Sequence, residues 1–199
     1  MQRWLPIYKK IFSTIFESKC FLCGKPTTKR ICTKCINDMY EPVRSSNNIY
    51  HCTHYYKSSK MIKMYKYASH PSFSKIMGEM LCKLFIDLKI PEEVYTVTFI
   101  PSNKKSYYEK GFIPAKEIAK HFAKYFDFEL KELLINKSKK RHAEMTQNER
   151  LNSVNFEIIK KVPKNIIIID DVYTSGASMN TAIELLNTNT IGLTFAKTR

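Results

Sequence analysis

Four consecutive isoleucines, Ile166 to Ile169, run straight into Asp170-Asp171-Val172-Tyr173-Thr174-Ser175-Gly176-Ala177-Ser178, and this stretch constrains the chain more than any other. Set off by Pro163, Lys164 and Asn165, the run is too short and too β-branched for a helix and too apolar for a surface strand. It predicts a strand covered on both faces, as inside a parallel sheet. Beyond it Met179, Ala182, Ile183, Leu185 and Leu186 recur at helical spacing. The order is strand, polar loop, helix. In open α/β sheets ligands bind beyond the carboxyl ends of the strands, and the N–H groups of a helix start favour a phosphate. Gly176 lets the backbone come close, while Thr174, Ser175 and Ser178 add hydroxyl donors. Two carboxylates beside a phosphate cradle repel it unless they serve ribose hydroxyls or a hydrated magnesium ion. A sugar phosphate needs both chemistries; the alternative is an ordinary strand-to-helix turn capped by two aspartates.

At 199 residues the chain buries one good core with room for a small appendage. No apolar run reaches the length of a membrane span, and Met1 to Phe16 lacks a small-residue cleavage site after a continuous apolar core, so a cytosolic location is expected. The 33 Lys and Arg residues against 18 acidic ones leave a net charge of +15, which attracts nucleic acid or an anionic membrane face. Trp4, Leu5, Ile7, Tyr8, Ile11, Phe12, Ile15 and Phe16 make an amphipathic helix. It either docks on the rest of the protein or lies in a membrane interface.

Cys20-x2-Cys23 and Cys32-x2-Cys35 form two knuckles, with Gly24 and Pro26 suited to a tight turn. In a cytosolic chain this spacing predicts a closed structural zinc site rather than disulfides. Cys82 reads as a core thiol, and Cys52, beside His51 and His54, is either a substitute ligand or no ligand at all.

Between Tyr55 and Tyr67 aromatic and basic residues interleave, including Lys57, Lys60, Lys63 and Lys66. Two readings stand: a single-stranded nucleic-acid surface, in which lysines track phosphates and tyrosines stack on bases, or a helix burying Met61, Ile62 and Tyr65 with its lysines in water. Phe73 to Leu88 predicts a sheet-covering helix, Val94 to Ile100 a buried strand ended by Pro101, and Ala115 to Phe126 another helix. The intervening loop carries Ser102, Asn103, Lys104 and Lys105, where point charges can neutralise a pyrophosphate. Phe128 to Ile135 is expected as a strand, followed by a basic run with Lys139, Lys140 and Arg141. His142, Thr146, Gln147 and Arg150 then make a hood over a ligand or a solvated loop. Val154 to Val162 reads as a strand or hairpin arm and Ile191 to Ala196 as a last strand.

The acidic pair with its Thr/Ser-Gly loop resembles the signature of type I phosphoribosyltransferase folds. With the four-cysteine module, the Tyr-Lys run and the basic loop, nearly the full length resembles the ComF family. The resemblance implies a type I phosphoribosyltransferase-like α/β domain over residues 55–199, a parallel sheet flanked by helices. It implies an amino-terminal helix and zinc module over residues 1–54. It implies a phosphoribosyl pyrophosphate (PRPP) site at Asp170, Asp171, Thr174, Ser175, Gly176, Ala177 and Ser178, with the pyrophosphate loop at Ser102 to Lys105, and magnesium bound with the PRPP. The implied role is natural transformation: handling incoming single-stranded DNA in the cytoplasm, with an inner-membrane DNA channel or helicase as partner. Two other readings are a phosphoribosyltransferase acting on an unidentified acceptor and a zinc-dependent adaptor with a relic site. The chain departs from the family pattern at Lys110-Gly111-Phe112-Ile113-Pro114, where relatives commonly read Arg-Gly-Phe-Asn-Gln, and at His142 and Ser153, where they carry Gln and Asn.

Overall fold

The computed structural model describes residues 18–46, 48–67, 72–91, 93–138 and 154–198. The expected helix over Met1 to Phe16, the basic residues Lys139, Lys140 and Arg141, and the hood residues His142, Thr146, Gln147 and Arg150 lie outside them. The chain divides into two compact units, Met1–Tyr40 and Glu41–Arg199. Val43–Ser46 and Ile49–His54, expected within the first module, are strands of the second unit's sheet.

In the first unit Lys19 bridges Pro26, and the turn between them is closed by Cys20 N–H to Lys25 O and Gly24 N–H to Cys20 O, each 2.8 Å. Cys32 begins a short helix, α1, Thr33–Met39. Cys20, Ile31 and Met39 are buried.

The second unit is α/β. Its strands are β1 Val43–Ser46, β2 Ile49–His54, β3 Thr96–Phe99, β4 Glu129–Leu130, β5 Leu134–Asn136, β6 Phe156–Ile158, β7 Asn165–Tyr173 and β8 Asn189–Lys197. Its helices are α2 Tyr55–Tyr67, α3 Phe73–Asp87, α4 Lys104–Lys110, α5 Pro114–Phe126 and α6 Ala177–Leu186. Six strands form one sheet in the order β1-β2-β8-β7-β3-β4, while β5 and β6 pair separately. Every pairing in the large sheet is parallel except β1 with β2.

The four isoleucines sit in central β7 and are fully buried, as two covered faces require. Pleating sends alternate residues to opposite sides. Ile166 and Ile168 pack with Met179, Ala182 and Leu186 of α6 and with Leu134 and Phe156 of the β5–β6 arm. Ile167 and Ile169 face the other way, where α3 and α5 pack. There Phe85 meets Phe122 edge-on at 5.6 Å and Phe126 at 5.0 Å. Gly78 of α3 permits the close approach of the two helices: a Cβ at this position would lie 2.6 Å from His121 Cβ.

The expected strand over Phe128 to Ile135 splits in two. Glu129 and Leu130 pair with β3, whereas Leu134 onward pairs antiparallel with β6. The expected strand over Val94 to Ile100 narrows to Thr96–Phe99, with Val94 exposed. Because β3, β7 and β8 are parallel, their carboxyl ends gather at one end of the sheet.

Candidate functional site

At that end a cleft of about 500 Å³ opens, lined by β7, the β3–α4 connection, the loop before α6, and α2. β7 delivers Asp170 and Asp171 to it, the loop delivers Thr174 and Ser175, and the first turn of α6 delivers Ser178. Gly176 precedes the first turn of α6 with φ 82° and ψ −9°, a left-handed conformation that favours glycine. A Cβ there would come within 2.3 Å of the Tyr173 hydroxyl oxygen, so the ring of Tyr173 closes one side of the loop.

The opposite wall follows β3. Ile100 N–H continues the ladder to Ile169 O at 2.9 Å, after which Pro101, Ser102 and Asn103 line the cleft. Asn103 caps α4, its Oδ1 accepting from Ser106 N–H at 2.8 Å. The basic loop expected here is therefore helical from Lys104 onward. Lys104 and Lys105 are exposed on its first turn and do not line the cleft, whereas Lys110, at its last turn, does. Asn136 closes the base, donating to Pro101 O at 3.2 Å.

The third wall is α2, whose Tyr55, Ile62, Lys66 and Tyr67 face the cleft. Met61, Ile62 and Tyr65 are buried, which is the packing-helix reading of this segment. Tyr65 anchors α2 by donating to Pro114 O at 2.8 Å. Of the four lysines read as nucleic-acid contacts, Lys60 and Lys63 are exposed and Lys57 pairs with Glu41 at 2.7 Å. Lys66 turns inward, its Nζ 2.9 Å from Asp171 Oδ2.

Charge in the cleft is tightly coupled. Burial, then the neighbouring charge of Asp171, pushes the Asp170 carboxyl well above the usual carboxylate range. Burial works against the charge of Lys66, but attraction to Asp171 outweighs it and holds the ammonium above its ordinary value. Lys110 is pulled below its ordinary value by burial and then by the charge of Lys66, while its Nζ donates to Ser106 Oγ at 2.7 Å. Acids and hydroxyls at a helix start suit a phosphorylated polyol, and the paired carboxylates offer the oxygen ligands a hard cation takes.

Sequence reasoning singled out neither Lys66 for this site nor Asn136 for any role. The signal for Lys66 was present: it stands four residues after buried Ile62, in line with the apolar stripe of α2.

A second cluster belongs to the first unit. The sulfurs of Cys20, Cys23, Cys32 and Cys35 lie within 4.8 Å of one another, and those of Cys23 and Cys32 are 3.8 Å apart. A tetrahedron with metal–sulfur bonds of about 2.3 Å has edges of about 3.8 Å, so the donor set fits zinc. Burial opposes ionisation of Cys20, but N–H groups of Cys23, Cys32 and Leu22 outweigh it and bring the thiol down to about 6. Cys35 moves up, through burial and then through hydrogen bonding and charge from the other three cysteines. Four sulfurs this close cannot all ionise without a cation among them. Cys52 and Cys82 are buried outside the cluster. His51 is buried between Ser45 Oγ at 2.7 Å and Thr194 Oγ1 at 2.6 Å.

No helix among the described residues is long and apolar enough to cross a membrane. Residues 108–190 match the family model of the phosphoribosyl transferase domain. Over 178 residues the chain is 26% identical to the competence protein ComFC of Streptococcus pneumoniae, covering 88% of this chain and 77% of that protein. Among solved structures, a hypoxanthine phosphoribosyltransferase from Trypanosoma cruzi aligns at 10% identity and TM-score 0.37, over 65% of this chain and 66% of that one. A hypoxanthine-guanine phosphoribosyltransferase from Bacillus anthracis aligns at 13% identity and TM-score 0.37, over 62% and 68%. The chain is thus similar to a phosphoribosyl transferase domain over residues 108–190 and to ComFC along most of its length.

Proposed function

We propose that this protein serves natural transformation in the cytoplasm, binding PRPP with magnesium in the cleft at the strand ends and handling incoming single-stranded DNA on its basic surface. The observation that carries the ligand is the convergence of Asp170 and Asp171 with Thr174, Ser175 and Ser178 on one cleft. The loop before α6, with Gly176 and Ala177, takes the 5′-phosphate, and the carboxylates take the ribose hydroxyls. Magnesium would be held between Asp170 or Asp171 and the ligand's diphosphate, where it neutralises phosphate charge. Ser102 and Asn103 bound the diphosphate end.

The DNA reading is supported by the net charge of +15 and by tyrosines exposed among lysines. Tyr56 accompanies Lys57, Lys60 and Lys63 on α2, and Tyr107 and Tyr108 accompany Lys104 and Lys105 on α4. Lys139, Lys140 and Arg141 extend the basic character in sequence. Zinc on the four cysteines would hold the amino-terminal unit together. Other competence proteins, such as an inner-membrane DNA channel or helicase, are the partners such a role requires, with peripheral contact at the membrane.

Calorimetric titration of PRPP into the protein and Asp171→Ala, with and without magnesium, tests the ligand. Metal-dependent binding lost in the variant is expected; no binding to either protein overturns it. For DNA, affinity should fall steeply with salt through counterion release. An affinity indifferent to salt would remove the basic surface as the binding site.

A further inference from the structure

Two ammonium groups line the cleft that holds the acidic pair, and neither belongs to the exposed first turn of α4 at Lys104 and Lys105. Lys66 arrives from α2, with about four-fifths of its side chain buried and its Nζ against Asp171. Lys110 arrives from the last turn of α4 and is steadied by Ser106. Both line the same cleft as Asp170 and Asp171.

We propose that Lys66 and Lys110 receive the diphosphate of a ribose phosphate ligand, with Lys66 passing from Asp171 to the entering anion. This rests on the PRPP reading of the same cleft and assigns the cations that meet its diphosphate. An ammonium carries three donors, and Asp171 occupies one of those on Lys66, so the group reaches the anion with little loss of pairing. Asp171, relieved of Lys66, is then open to ribose hydroxyls. A neutral ligand, or a lone monophosphate at the Thr174–Ser178 loop, would leave the paired ammoniums without a use.

The experiment titrates inorganic pyrophosphate and, separately, ribose 5-phosphate into the protein, Lys66→Met, Lys66→Arg, Lys110→Met and the double variant Lys104→Ala/Lys105→Ala. Loss of one charge-assisted hydrogen bond predicts at least a tenfold weakening of pyrophosphate in Lys66→Met. A smaller weakening is expected in Lys110→Met, with recovery in Lys66→Arg and no change in the double variant. Ribose 5-phosphate should change less than threefold throughout, which a merely structural Lys66–Asp171 tie would not produce. If Lys66→Met fails to fold, Lys110→Met carries the same test, since Lys110 makes its bond to a hydroxyl rather than a carboxylate. Pyrophosphate binding unchanged in both methionine variants, or lost only in the double variant, overturns the proposal. A wild-type protein that binds ribose 5-phosphate but not pyrophosphate also overturns it while leaving the acidic pair and phosphate loop standing. A wild type that binds neither removes both readings.

Discussion

The cysteine cluster and the acidic pair pose the same electrostatic problem and answer it differently. Each crowds like charges into a space where water cannot screen them fully. In the cysteine unit four sulfurs within 4.8 Å of one another form a donor set that fits a zinc ion. At the strand ends the chain supplies its own cation, Lys66, against Asp171. An ion bound there would fix a small fold, whereas a resident ammonium would be able to pass to an entering anion. His51 represents a third answer, a buried ionisable group kept neutral between two hydroxyls.

Removing the imported ion should have the largest effect. Structural zinc in small modules contributes about 10–16 kcal/mol of apparent binding energy, which is folding energy. Chelation, or Cys32→Ser, is expected to abolish amide protection between residues 18 and 40 while β7 and β8 stay protected in hydrogen exchange. Loss of protection in both units together would break the contrast.

Next comes the neutral histidine. Burial, then the charges of Lys197 and His54, lower its folded pKa to about 4 from an ordinary value near 6.5. Between those values the unfolded chain binds more protons, so stability is complete above about pH 6.5 and falls as pH drops toward 4. A shift of this size amounts to about 3 kcal/mol. Denaturant titrations from pH 7 to pH 4 should show the loss, and His51→Gln should flatten it. Thr194 donates onward to Ala196 O at 3.2 Å, which requires its oxygen to accept from His51 Nδ1–H and leaves Nε2 to accept from Ser45.

Lys66→Met should cost about 2–3 kcal/mol at neutral pH, below the range for a fully buried pair because Lys66 is about one-fifth exposed. The deficit should shrink on acidification as Asp170, whose carboxyl is held above the usual range, takes up a proton. A deficit independent of pH would mean that lost packing, rather than an unpaired carboxylate, is responsible. The smallest change is expected for Lys57→Ala, whose pair with Glu41 is solvent-accessible: a slight fall in Tm, diminishing with salt, by thermal denaturation.

What could be read from the sequence was what neighbours in the chain decide. Strand β7, its acidic end, the glycine-containing loop and α6 follow from one continuous stretch, Asn165 to Leu186, and the cysteine spacing likewise carries its own geometry. The division of Phe128 to Ile135 between two sheets did not show, because Leu130 and Leu134 are both apolar and only distant strands decide which one each joins. Lys104 and Lys105 were visible as charge but not as outward-facing, because the Asn103 cap that starts α4 turns them away from the cleft. Lys66 was legible as the inward lysine from its place four residues after Ile62, but among four lysines in thirteen residues the partner it meets, Asp171, is decided by the fold.

The two outermost strands of the large sheet have a consequence for how this protein meets others. At one end β1 is four residues long and its register slips between Arg44 and Ser46; at the other, β4 has two residues. Neither presents a long, flat row of open N–H and C=O groups on which a foreign strand could grow. Recruitment by strand addition, and the runaway stacking that accompanies it, is thereby discouraged at both borders. Binding to other macromolecules is left to side chains on helical faces, where charge and aromatic surface can be engaged and released reversibly.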